Sequence, residues 1–138
     1  MKPRLTDSIV VPIADEADAH ATAAALEPHD VGMVTAIHVI EKGEGVPDKT
    51  PVEQSETVAD KAFATFRNTF PDAGTRTVYR RDIVQGVVDV TDEVGANAIF
   101  FRPRGGSRLV QFLAGDRALR LITEADCPVV ALPEVDDG

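Results

Sequence analysis

The chain has no tryptophan and one tyrosine, and aromatic residues make up only 5% of it. Its core must therefore be assembled mainly from Val, Ile, Leu and Ala, a mixture that suits parallel strands covered by helices on both faces. A single cysteine, Cys127, excludes an intrachain disulfide. Its nearest charged neighbours are Asp126 and Glu124, which disfavour a thiolate, so it reads as a small buried hydrophobe rather than a nucleophile. Lysine is scarce: 4 residues against 10 arginines and 23 acidic residues, for a net charge of -9. An acidic surface repels phosphate backbones, which excludes general nucleic-acid binding. Fourteen of the carboxylates are Asp. With so little Lys, this composition also suits a halophile-like, salt-rich cytoplasm in which charge repulsion is screened. No apolar run approaches the roughly 20 residues that cross a bilayer. Met1 to Asp7 is polar and carries no signal-peptide core. The expectation is a cytoplasmic protein with no direct membrane insertion.

The 138 residues correspond to one domain. Along them, short apolar runs alternate with helical patterns. Ser8 to Ile13 reads as a buried strand, with Pro12 limiting its pairing. Asp15 can cap a helix that starts near Ala17 and ends before Asp30, with Ala21, Ala24 and Ala25 as a small-residue face. Gly32 to Ile40 reads as a second strand and Glu41 to Thr50 as a polar loop. Val52 to Phe70 reads as a helix on the stripe Val58, Ala62, Phe66 and Phe70, ended by Pro71 to Gly74. A third strand covers Thr75 to Tyr79. Asp82 caps a helix with the face Ile83, Val87, Val90 and Val94, closed by Gly95. Asn97 to Phe101 forms a fourth strand, and Arg102 to Phe112 a basic, glycine-containing loop. Asp116 begins a helix with Ala118, Leu121, Ile122 and Ala125 on one face. Pro128 to Leu132 forms a last strand. Residues 1–7 are left as an N-terminal arm and 134–138 as an acidic tail. Five strands joined by helices of this length predict parallel, right-handed crossovers in an α/β layered sheet.

Several local motifs in this order resemble the universal stress protein family over Ser8 to Pro133: Ile9-Val10-Val11-Pro12-Ile13, His38-Val39-Ile40, Ala96 to Phe101, Phe112-Leu113-Ala114-Gly115, and Cys127-Pro128-Val129-Val130. The resemblance implies a flavodoxin-like, Rossmann-like sheet in the order 3-2-1-4-5, with helices on both faces. In such sheets the ligand crevice opens where the strand order reverses. Here that places Ala14, Asp15 and Glu16 opposite Arg102, Arg104, Gly105 and Gly106, with Val39 on the neighbouring strand.

ATP-binding members of the family carry a glycine-rich loop after strand four: Gly, two residues, Gly, nine residues, Gly, then Ser or Thr. Glycines let the backbone approach the phosphates, and the helix start donates to them. The register places Arg102, Gly105, Gly115 and Asp116 at those positions, so two match and two depart. Ala14 stands where the family carries the Asp that reads adenine, and Arg81 where it carries a Gly. A carboxylate at Asp116 facing a phosphate about 4 Å away would cost roughly 1 to 4 kcal/mol. The expectation is a degenerate nucleotide site, with Asp116 in the phosphate position and Arg102 filling ribose or adenine space. ATP is then neither required nor favoured. A second reading takes Arg102, Arg104, Arg108, Arg117 and Arg120 as an anion site. Against it stands the ordinary outcome, arginines paired with surface carboxylates.

No catalytic constellation is present. There is no nucleophile elbow, and His20, His29 and His38 have no metal-ligand spacing. Asp15 and Glu16 read as capping residues. The strand order puts Val129, Val130, Ala131 and Leu132 at a sheet edge with no charge to protect it. A two-fold mate would cover that edge, and the resemblance implies a homodimer through this strand. The reading is a non-enzymatic binding or regulatory module. By family analogy alone, its protein partner is a transporter or regulator. The alternative is an ATP-binding protein with slow hydrolysis or phosphotransfer.

Overall fold

The computed structural model describes residues 4–41, 52–102 and 116–133. Nine elements alternate along the chain: β1 Ser8–Pro12, α1 Glu16–Leu26, β2 Met33–Glu41, α2 Val52–Thr69, β3 Gly74–Arg80, α3 Ile83–Val94, β4 Ala98–Phe101, α4 Asp116–Glu124 and β5 Val129–Ala131. The strands form one sheet in the order β3-β2-β1-β4-β5, and every pairing is parallel. The predicted strands and helices are all present, with ends displaced by up to three residues.

The period of two in each strand builds two cores. Ile9, Val11, Ile13, Val34, Ala36, Ala98 and Phe100 face α1 and α2. Val10, Ile37, Val39, Ile99 and Phe101 face α3 and α4. Only strands buried on both sides can be apolar at every position, which explains the unbroken aliphatic runs. Phe66 and Phe101 are fully buried, and each such side chain contributes about 1.5 to 3 kcal/mol.

Three helical faces differ from expectation. On α1, Ala21 and Ala24 are only half-buried, whereas Ala19, Ala23 and Ala25 are buried. On α2, Val58 is 40% exposed, whereas Ala59, Ala62, Phe63 and Phe66 are buried. A strict four-residue step drifts about 40° per turn from the 3.6-residue helix, so the sequence stripe leaves the buried face at Val58. On α4, Leu121 is fully buried but Ile122 is 53% exposed, because adjacent helical residues point about 100° apart. The segment before β1 is not a free arm over its described part. The carbonyls of Thr6 and Asp7 accept from Gly32 N and Met33 N, each at 2.8 Å, which anchors residues 4–7 to the start of β2. The acidic tail and most of the loop after β2 lie outside the described residues.

Asp82 caps α3 by accepting from Val84 N, and Gly95 ends it at φ 66°. Ala96 N donates to Thr91 O at 3.1 Å, so the helix closes in a Schellman turn that needs a left-handed residue.

Candidate functional site

The strand order reverses between β1 and β4, so their carboxyl ends and the chain just beyond them frame the crevice. β1 continues its ladder one residue past its end, with Ile13 N donating to Ile37 O at 2.9 Å. Asp15 then caps α1, accepting from Asp18 N at 2.8 Å. Asp18 reaches back and accepts from Ala14 N at 2.7 Å. These reciprocal bonds form a capping box shifted by one residue, and they hold the start of α1 against the end of β1.

Asp18 is also the hub of the crevice. It is only 2% exposed. One carboxylate oxygen accepts from the Thr22 hydroxyl at 3.2 Å and from Arg102 Nη2 at 3.1 Å. Arg102 arrives from the end of β4, and the side chains of the pair are 10% and 3% exposed. The guanidinium therefore lies folded against α1 as half of a buried ion pair. The sequence put this side chain in ribose or adenine space; at the end of β4 it is paired with Asp18. A buried guanidinium is tolerable only beside a carboxylate, and Asp18 supplies one.

Next to this pair, His38 is 8% exposed on β2 and donates from Nδ1 to the Ile13 carbonyl at 3.1 Å. A carbonyl can only accept, so this nitrogen carries the proton. Burial lowers the imidazole pKa below its ordinary value; the Ile13 carbonyl and the charges of Asp15 and Asp18 oppose that shift without overcoming it. His38 is thus a neutral group wedged under the crevice floor.

The other sequence candidates separate. Ala14 and Asp15 are half-buried between the end of β1 and the start of α1. Val39 turns its side chain to the opposite face, 4% exposed beneath α3. There Gly86 leaves it room: a Cβ on Gly86 would stand 2.9 Å from both Val39 methyl carbons. Its side chain is core rather than crevice lining. Arg104, Gly105, Gly106, Arg108 and Gly115 lie outside the described residues, and Asp116 is described only as the first residue of α4. Of the five clustered arginines, Arg102 pairs with Asp18, and Arg120 pairs with Asp82 and Glu124. Arg120 thus pairs with surface carboxylates, whereas Arg102 meets a buried one. The Arg120 guanidinium pulls the Asp82 carboxyl below the usual carboxylate range.

Sequence reasoning missed Asp18. The available signal was local: an Asp three residues after the capping Asp15, the spacing of a capping box. Its partner lies 84 positions away, and no local pattern could have joined the two. Burial pushes the Cys127 thiol pKa up, in keeping with an inert thiol. Among the described residues, no cluster of His, Cys, Asp and Glu could hold a metal ion, and no helix is long and apolar enough to cross a membrane.

β5 lies at the sheet edge beside β4. Ile99 N donates to Pro128 O at 3.0 Å and Leu132 N to Phe101 O at 2.7 Å, so alternate residues of this strand turn inward. The backbone groups of Val129 and Ala131 therefore face the open edge. Leu132, predicted as part of that edge, is 3% exposed and belongs to the core.

The sequence profile of the universal stress protein family matches residues 6–133. Among solved structures, a universal stress protein from Archaeoglobus fulgidus in complex with dAMP is 21% identical, with TM-score 0.65, over 94% of this chain and 100% of that one. A universal stress protein in complex with cAMP is 12% identical, with TM-score 0.66, over 96% and 100%. A universal stress protein family protein from Arabidopsis thaliana with AMP bound is 13% identical, with TM-score 0.54, over 95% and 94%. At these identities the likeness establishes the fold. No curated protein matches the chain.

Proposed function

The chain belongs to the universal stress protein family, and on that premise we propose that it is a binding and regulatory module whose nucleotide crevice is degenerate. One observation carries this reading: the cation at the reversal point is already neutralised by Asp18 in a nearly dry pair. A triphosphate entering there would have to separate two desolvated opposite charges before gaining Arg102, and breaking such pairs is costly. Ala14 offers no carboxylate to an adenine amino group. The module acts by presenting surfaces rather than by turnover, as a homodimer through β5 in the cytoplasm, toward a regulator or transporter partner.

Titration with ATP and magnesium tests this directly. The expected outcome is binding no tighter than the millimolar range and no phosphate release. Micromolar binding with turnover would overturn it.

A second reading, mononucleotide binding with slow hydrolysis or phosphotransfer, draws on the relatives solved with dAMP, cAMP and AMP. Mass spectrometry of what co-purifies with the native protein separates the two: a retained adenine nucleotide favours the second.

A further inference from the structure

The sheet carries a second opening, at the end opposite the crevice. β2 starts at Met33, but β3 first opposes it at the Thr35–Gly74 pair. Met33 and Val34 therefore have no β3 residue beside them, and the corner of the sheet is notched. Met33 N donates to Asp7 O, toward β1. By alternation the backbone groups of Val34 turn the other way, to the β3 side. Phe70, Pro71 and Asp72, in the turn from α2 to β3, supply the facing wall. The space enclosed is about 580 Å³, inside the range of roughly 300 to 1,000 Å³ that small-molecule sites occupy.

Its lining is chemically one-sided. Val31, Met33, Phe70 and Pro71 are apolar, and Asp72 is the one ionisable group among the described residues that line it. Asp72 is exposed and has no ion-pair partner among the described residues. The nearby Arg67 is committed elsewhere: its Nε and Nη2 donate to the Ala73 carbonyl at 2.9 and 2.8 Å. Phe70 stacks on the buried Phe66, with ring centroids 5.1 Å apart, so that wall is preformed. Met33 is 73% exposed, and its unbranched thioether adapts to whatever it touches. Gly74 keeps the space open. A Cβ there would meet nothing nearer than Thr35 Oγ1 at 3.8 Å.

We propose that this cavity binds a small organic cation, a primary ammonium carried on a compact aryl or alkyl body. The apolar body takes Met33 and Phe70 out of water, and the ammonium pairs with the Asp72 carboxylate. The same carboxylate repels anions, and a net charge of -9 concentrates cations at the surface. The cavity lies at the amino ends of β2 and β3, away from the β1/β4 reversal point, so it does not depend on the reading of the crevice.

The test uses the full chain at physiological ionic strength, with phenethylamine as the probe and phenylacetate as its charge-reversed counterpart. Met33 is one of two methionines, so isotope-labelled methionine methyl groups give a local NMR signal for the cavity. Phenethylamine is expected to shift the Met33 methyl signal saturably, and phenylacetate to bind more weakly. D72N should weaken phenethylamine roughly 2- to 5-fold, the size of an exposed ion pair, and remove its advantage over phenylacetate. G74L, whose side chain enters the open space, should abolish the saturable shift. Circular dichroism checks the folding of both variants; should G74L not fold, D72N and the charge-reversed probe decide. An unmoved Met33 signal overturns the proposal, as does a response that survives unchanged in G74L or D72N, or phenylacetate bound as tightly as phenethylamine. Tight ATP binding would defeat the reading of the crevice and leave this site standing.

Discussion

At the residue scale, Arg102 and Asp18 are one energetic unit. Replacing Arg102 with Met removes the guanidinium from a carboxylate that is only 2% exposed. Such half-broken pairs lose about 3 to 5 kcal/mol, so R102M should lower the urea midpoint sharply. D18N/R102M should be markedly less destabilised than the sum of its single changes, the signature of coupled sites. His38 contributes to the response to mild acid. Its folded pKa lies below its ordinary 6.5, so below that pH the unfolded chain takes up a proton that the folded imidazole refuses. Stability should therefore fall as pH drops through 6.5 and level off beneath the folded value. In H38N, whose amide can still donate to Ile13, this part of the pH profile should flatten in thermal melts recorded between neutral and mildly acidic pH.

At the scale of elements, α3 is tied at both ends and through its middle. Asp82 caps it and accepts from Arg120 of α4. The Asp82 pKa is depressed chiefly by that arginine, so the contribution is present above its ordinary 3.8 and lost as pH falls below it. The two side chains are 35% and 42% exposed, so solvent screens the pair and its contribution is small. R120A should cost little near neutral pH, and the difference from the unaltered chain should shrink under strong acid. Gly86 sets how closely α3 approaches β2. An added methyl would meet both Val39 γ carbons at 2.9 Å, and overpacking of a buried contact costs about 1 to 3 kcal/mol. Better helix propensity returns up to about 1 kcal/mol. G86A should still be destabilised in chemical denaturation, and V39A/G86A should recover part of the loss.

At the scale of the molecule, two features remain open: the β5 edge and the net charge. The outward N–H of Ala131 can be removed without touching the ladder to β4, because the inward bonds belong to its neighbours. Light scattering should find the unaltered chain at twice its 14.8 kDa and A131P at the single-chain mass. A net charge of -9 in one small domain repels itself. Molar potassium chloride shortens the Debye length to about 3 Å, so the melting temperature should rise with salt above its value in dilute buffer.

Element order and sheet composition were legible along the chain, because strand and helix periods, caps such as Asp15 and Asp82, and the stop at Gly95 are local properties of consecutive residues. The reversal point followed from strand order, which sets Ala14 and Asp15 just past the end of β1. Only the folded structure decided which face Val39 presents, which side of α2 Val58 occupies, and that Arg102 meets Asp18. Those outcomes depend on helix phase and on groups far apart in sequence, whose meeting is set by how layers pack rather than by any local pattern. Burial then gave that contact its weight: on an open surface the pair would contribute little, whereas in the dry cleft between α1 and β4 it sets the electrostatics of the crevice.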